Sequence, residues 1–225
     1  MAIDGPVASG KSSIGRQLAE LLGGYRFVDT GMMYRAVTWL ALDDHMELTE
    51  DEDELAELAR GATIRLERGD DGSPVLYLNG ANVTGYLREP YIDRNVPKVS
   101  EVRGVRQAMV PHQRAMAAEG RLVMVGRDIG SEVLTDAPLK VYLTATPEER
   151  ARRRYAELRL RGDRRSLEQI LDEVLARDRV DMGRDVSPLL PPDPAILPAG
   201  TFLLETDRLS EAEVVERLVA AATLS

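Results

Sequence analysis

Cysteine is absent from all 225 residues, which excludes disulfides, thiol nucleophiles and zinc-thiolate centres together. Histidine is nearly as scarce. His45 and His112 are too few for a His-rich metal site, and each reads as an ordinary surface or packing residue. No apolar run approaches the roughly eighteen residues that a membrane span needs. Met1-Ala-Ile-Asp-Gly5 has neither the basic nor the apolar region of an export signal, so the cytoplasm is the expected compartment. An overall basic field is lacking too: the formal charge is −9 at pH 7, and neither nucleic acid nor a membrane is an expected partner. Internal repeats and low-complexity tracts are not found.

What is present is an ordinary globular composition, 44% hydrophobic and 30% charged, at a length that suits one large domain or a core with small insertions. Ala2 to Asp4 form a short apolar stub. Lys11 to Leu22 follow with Ile14, Leu18, Leu21 and Leu22 at helical spacing, and Gly23-Gly24 stop the helix. Tyr25 to Asp29 reads as a second strand and Thr30 to Leu42 as a second helix, a βαβα rhythm that implies a parallel sheet. Between residues 62 and 82 the rhythm breaks. Thr63 to Glu67 and Val75 to Leu78 alternate around Asp70-Asp71-Gly72, with Asn79-Gly80 as a tight-turn pair, which predicts an antiparallel insert. Arg121 to Asp128, Leu139 to Thr144 and Thr201 to Thr206 return to strand, and a last helix runs from Ser210 to Ala221. Pro188, Pro191, Pro192, Pro194 and Pro198 make the segment before the last strand irregular.

Gly5-Pro6-Val7-Ala8-Ser9-Gly10-Lys11-Ser12 matches the phosphate-binding pattern G-x-x-x-x-G-K-[ST], and it lies after a strand and at the start of a helix, where its mechanics require it. The glycines let backbone N–H groups turn towards phosphate. The helix N-terminus adds a favourable dipole, Lys11 reaches the β- and γ-phosphates, and the Ser12 hydroxyl suits Mg²⁺. Kinases, GTPases, ATPases and nucleotide sensors all share such a loop, so the acceptor side has to discriminate among them.

Asp29-Thr30-Gly-Met-Met-Tyr34-Arg35 follows the second strand, which makes Arg35 a candidate clamp for an acceptor phosphate; the alternative is a solvated helix arginine. Arg121 to Gly126 is a strand that ends in Arg127-Asp128. Arg127 can neutralise phosphate, and Asp128 can accept from an amino group such as cytosine N4; a plain ion pair is the alternative. After Ser166, the inward stripe Leu167, Ile170, Val174 continues by steps of three and four into Arg177, Asp181 and Arg184. Charges turned inward need partners or a ligand, so these three predict a polar cleft, against a solvated salt ladder. Eight of the sixteen residues from Arg150 to Arg165 are arginine. A helix from Glu148 to Arg161 with a break at Gly162-Asp163 fits a lid that brings positive charge, Arg154 included, to a transferring phosphoryl group; a solvated cationic helix is the alternative.

With these residues in place, the sequence resembles the bacterial cytidylate kinases, in the adenylate-kinase-like branch of P-loop folds. The likeness runs end to end, through Ile3-Asp-Gly-Pro6 and the Gly-Lys-Ser loop, Asp29-Thr-Gly-Met-Met-Tyr-Arg35, Gly126-Arg-Asp-Ile-Gly130, Asp136-Ala-Pro-Leu-Lys140, Glu148-Glu-Arg-Ala-Arg-Arg-Arg154, and Arg177-Asp-Arg-Val-Asp181 with Arg184. It implies a single P-loop kinase domain over 1–225: a five-stranded parallel core, a monophosphate-binding insert near 61–99 and a short lid near 152–166. The ATP phosphates would lie on Gly5 to Ser13, with Ser12 on Mg²⁺. Ser100, Arg106 and Asp128 would hold cytosine. Thr30, Arg35 and Arg127 would serve the acceptor, and Arg177, Asp181 and Arg184 its ribose and phosphate side. Lys11, Arg127, Arg154 and Arg177 would carry the transfer.

The implied reaction is Mg²⁺-dependent, in-line transfer of the ATP γ-phosphoryl group to CMP or dCMP by a monomeric enzyme of pyrimidine nucleotide metabolism. UMP, AMP or shikimate as acceptor, and a non-catalytic sensor, are the rivals. Three departures qualify the likeness. Only four residues precede Gly5, which implies a short first strand and leaves room for a start upstream. The Ser100 to Arg106 spacing is shorter than the family pattern, which bears on Ser100 more than on Arg106. Thr30 stands where the family often has Ser and keeps the hydroxyl.

Overall fold

The computed structural model describes residues 1–48 and 52–224. Along the chain the elements are β1 (Ala2–Asp4), α1 (Lys11–Leu21), β2 (Arg26–Asp29), α2 (Thr30–Asp43), α3 (Glu52–Gly61), β3 (Ile64–Arg68), β4 (Pro74–Leu78) and β5 (Ala81–Asn82). They continue with α4 (Pro90–Glu101), α5 (Arg103–Ala118), β6 (Leu122–Gly126), a π-helical turn (Ile129–Val133), β7 (Lys140–Thr144), α6 (Pro147–Leu160), α7 (Leu167–Gly183), β8 (Thr201–Glu205) and α8 (Glu211–Leu224). A five-stranded parallel sheet has the order β2-β6-β1-β7-β8, and a separate antiparallel sheet has the order β3-β4-β5. The α/β class, the parallel core and the antiparallel insert are those expected. No helix among the described residues is long and apolar enough to cross a membrane.

The chain divides into two compact units, one of Met1–Tyr25 and Val123–Ser225, the other Arg26–Leu122. In the first, β1 lies in parallel register with β6 (Asp4 beside Gly126) and with β7 (Asp4 beside Tyr142), and β7 pairs with β8. Strands β1 and β6 are buried at every position, which is why they read as continuous apolar runs. Helix α7 opens on a reciprocal cap: Gln169 N donates to Ser166 Oγ (3.2 Å) and Ser166 N to Gln169 Oε1 (2.8 Å). Ile170 and Val174 then pack with Ala151 and Leu158 of α6. The expected inward stripe loses its first member, because Leu167 stands at the exposed start of the helix. Arg184 falls just beyond the helix, in extended backbone.

The second unit centres on Met33, Val37, Leu55, Leu76, Leu78, Ile92, Val99 and Met109. Its sheet has one strand more than the sequence suggested. Asn79 and Gly80 both take positive φ (50° and 85°) and turn β4 directly into β5. Helices α3 and α4 escaped the sequence reading and α5 was given no bounds in it; α4 and α5 enclose Pro97 and Pro111, residues that normally mark a helix boundary.

Candidate active site

The phosphate loop is held by packing at its first residue. A Cβ on Gly5 would lie 2.1 Å from the Leu143 carbonyl oxygen, so no side chain fits against β7. Ala8 (φ 58°) and Gly10 (φ 90°) are left-handed, and Gly10 is the N-cap of α1. Pro6 O accepts from Lys11 Nζ at 2.9 Å and from Ser9 N at 3.4 Å. Lys11 is buried while Ser12 and Ser13, on the first turn of α1, keep exposure. A left-handed glycine-rich loop, a buried cation and a helix N-terminus together make a place for polyphosphate.

The loop has a brace that sequence reasoning missed. Arg150, counted only as one of the lid arginines, is buried. Its Nε donates to Ala145 O (2.9 Å), its Nη1 to Val7 O (3.2 Å), and both Nη atoms grip Asp178 (3.1 and 2.6 Å). A bidentate arginine thus ties α6, α7 and the loop carbonyl into one network. The other arginines of that segment sort by partner. Arg153 donates to Thr206 Oγ1 (2.9 Å) and O (2.7 Å), and Arg165 bonds Asp163 (2.5 Å) and Glu173. Arg154 pairs with Glu157 at 2.9 Å and stays partly exposed.

Asp181 is the hub of the charged stripe. Wholly buried, it accepts from Arg127 Nε (2.8 Å) and Arg177 Nε (3.2 Å to each oxygen), and Arg184 Nη1 stands 3.7 Å away. Burial alone would raise its carboxyl, but the charges of Arg127, Arg177 and Arg184 outweigh that and hold it below the usual carboxylate range. Three guanidinium groups thus gather on one buried carboxylate. A solvated salt ladder is excluded by the burial of Asp181 and Arg184.

Asp128 is buried at the end of β6, where its carbonyl accepts from Glu132 N (2.9 Å) and Val133 N (3.2 Å). Asp4, quoted in the sequence only within runs such as Ile3-Asp-Gly-Pro6 and assigned no role, holds the two residues that follow Asp128. Its Oδ1 accepts from Ile129 N (2.6 Å) and its Oδ2 from Gly130 N (2.7 Å). Burial pushes the Asp4 carboxyl up to about 7, with the Asp128 charge adding to the rise and the two amides and Lys11 opposing it.

The second unit carries the remaining expected residues. Thr30 is buried in the first turn of α2, behind the N-cap Asp29, whose side chain accepts from Gly31 N at 2.9 Å. Arg35 pairs with Asp93 of α4 at 2.6 Å and is about one-third exposed. Arg106 is fully buried. Its Nη1 donates to Ser100 O (3.0 Å), and its guanidinium lies 5.2 Å from the Tyr34 ring centroid. The short Ser100 to Arg106 connection therefore brings these two residues together, but through the backbone of Ser100; its hydroxyl donates to Pro97 O at 3.1 Å. Among the described residues no group of three or more His, Cys, Asp or Glu side chains could hold a metal ion.

The family model for cytidylate kinase matches residues 1–224. A cytidylate kinase of Caldanaerobacter subterraneus subsp. tengcongensis is 44% identical over 221 residues, covering 98% of this chain and 93% of that protein. One from Bacillus cereus is 39% identical over 220 residues, 98% of this chain and 94% of the other. Among solved structures, a gluconokinase from Sinorhizobium meliloti 1021 covers 99% of this chain, with 91% of its own, at 16% identity and a TM-score of 0.48. Because the family model and the curated relatives cover nearly the whole chain, from the phosphate loop through the Arg127-Asp128 turn to the Asp181 hub, this chain belongs to the cytidylate kinase family.

Proposed function

We propose that the chain transfers the γ-phosphoryl group of ATP, with Mg²⁺, to CMP and dCMP, giving CDP or dCDP and ADP, as a monomer in the cytoplasm. Residues 61–99 act as the monophosphate-binding insert and 152–166 as the lid. The observation that carries this reading is the Asp181 hub. One buried carboxylate organises Arg127, Arg177 and Arg184, an arrangement that a nucleotide sensor with only a phosphate loop would not need.

The backbone of Gly5 to Ser13 holds the ATP phosphates, Lys11 neutralises the transferring group, and Ser12 is the protein ligand for Mg²⁺. The left-handed Ala8 and Gly10 of the loop and the exposed Ser12 at the start of α1 suit that group. Mg²⁺ supplies charge neutralisation across the phosphates. Two polyanions must approach each other, so catalysis is positioning and neutralisation, with Arg127, Arg177 and Arg154 as the cations of transfer. Arg35, Arg127 and Arg184 bind the acceptor phosphate, with Thr30 beside it. Arg106, Ser100 and Asp128 read cytosine, and Asp181 orients the arginines and accepts from ribose. A carboxylate at position 128 favours the cytosine amino group and opposes uracil O4.

Release of ADP, coupled to a reporter enzyme and measured over a panel of monophosphates, tests the reading. CMP and dCMP should be phosphorylated well, and UMP, AMP and shikimate poorly. ATP binding without transfer to any of them would make the chain a sensor.

A further inference from the structure

The geometry points to Asp4 as a positioning residue for the acceptor, one that locks the Arg127-Asp128 turn by taking both amide protons that follow it. The role rests on the proposed use of Arg127 and Asp128. After Gly126 the chain leaves the sheet, passes through Arg127 and Asp128, and winds into the π-helical turn of residues 129–133. The opening N–H groups of such a turn have no acceptor within it. Asp4 meets two of them, one on each carboxylate oxygen, at 2.6 and 2.7 Å. Two adjacent amides held by one buried carboxylate fix the peptide planes on both sides of Ile129, and with them the backbone angles of Asp128 (φ −145°, ψ 25°). Charge-assisted bonds of this kind are about twice as strong as neutral ones.

The fit is close on the opposite side as well. A Cβ on Gly130 would stand 3.3 Å from Asp4 Oδ2 and 3.4 Å from Lys140 Cγ. Arg127, Lys140 and Tyr142 line the small cavity beside Asp4, and the charges of Lys11 and Asp128 act on its carboxyl. A strand end that had only to be filled would take an apolar residue more cheaply than a buried carboxylate. Although Gly5 follows Asp4 directly, the backbone of the donor loop has supports besides this side chain. The Asp4 backbone is held by β6 and β7, and Gly5 is fixed by its approach to Leu143. Loss of the carboxylate should therefore act more on the acceptor than on ATP.

Asp4→Asn keeps the shape but turns an amide N–H₂ towards one of the two backbone donors. We expect kcat/KM for CMP to fall roughly tenfold, the loss of one charge-assisted bond, and CMP affinity by titration calorimetry to weaken in step. The preference for CMP over UMP should narrow while KM for ATP stays within about twofold of the wild type. Gly130→Ala, which crowds the carboxylate from the turn and leaves β1 untouched, should show the same split in milder form, and it decides the matter if Asp4→Asn does not fold. Wild-type protein that fails to phosphorylate CMP would overturn the proposed function. Active wild-type protein, with variants that change KM for ATP and CMP alike or change neither, would overturn the role of Asp4 alone.

Discussion

At the scale of single residues the structure separates two buried aspartates with opposite electrostatics. For Asp181 the folded carboxyl is held low, so its contribution to stability is present above the ordinary carboxylate value of 3.8 and is lost as pH falls below it. Asp4 behaves the other way. Its folded value is raised from 3.8 to about 7, so its contribution is full below the lower value and declines as pH rises to the upper one. Thermal melts of wild type and Asp4→Asn at about pH 4.5 and about pH 8 should show the wild type relatively more stable at the acid end, where the carboxyl takes up a proton. An unchanged difference would mean that Asp4 is not buried as a carboxyl. Removing the hub by Asp181→Ala leaves three arginines facing one another, and should cost about 3–5 kcal/mol of stability besides the loss of CMP turnover. A normal melt with normal CMP kinetics would return all four residues to a surface role. Lys11→Ala, in contrast, should melt near the wild type and lose on the order of a hundredfold or more in kcat, because the residue serves phosphate charge and not the core.

At the scale of elements, the sequence was most informative where a side-chain period met a turn signal. Strand β1, the glycine loop and α1 were legible because apolar periodicity flanks a spacing that few other structures require. Strands β3 and β4 were legible because alternation ends in Asn79-Gly80. Helices α4 and α5 were not, since Pro97 and Pro111 interrupt the pattern that packing against the unit's core restores. The supports of the site were illegible for a different reason. Asp4 meets partners 125 and 126 residues away, and Arg150 meets Val7 across 143 residues, so neither contact leaves a local signature. Position 150 offers a test at this scale. Arg150→Lys keeps the charge but cannot grip Asp178, Ala145 and Val7 at once. It should cost roughly 2 kcal/mol in stability and raise KM for ATP more than KM for CMP. Equal effects on both would show that the brace serves the fold in general.

At the scale of the whole molecule, an acidic chain gathers Arg127, Arg177 and Arg184 around Asp181, where the proposed function needs positive charge for phosphate. Among the described residues no group of His, Cys, Asp or Glu side chains could hold a divalent ion by itself, and Ser12 is the proposed protein ligand of a nucleotide-borne Mg²⁺. Chelation with EDTA should therefore abolish transfer and leave the melting temperature of the nucleotide-free protein unchanged. A large fall in that temperature would reveal a structural metal. The central claim, that this chain passes the γ-phosphoryl group of ATP to a cytidine monophosphate, is tested most directly by competition. Equal amounts of CMP and UMP are incubated with enzyme, Mg²⁺ and ATP labelled with ³²P in the γ position, and the labelled diphosphates are separated. The account predicts that the label appears predominantly in CDP; label chiefly in UDP, or retained in ATP, would contradict it.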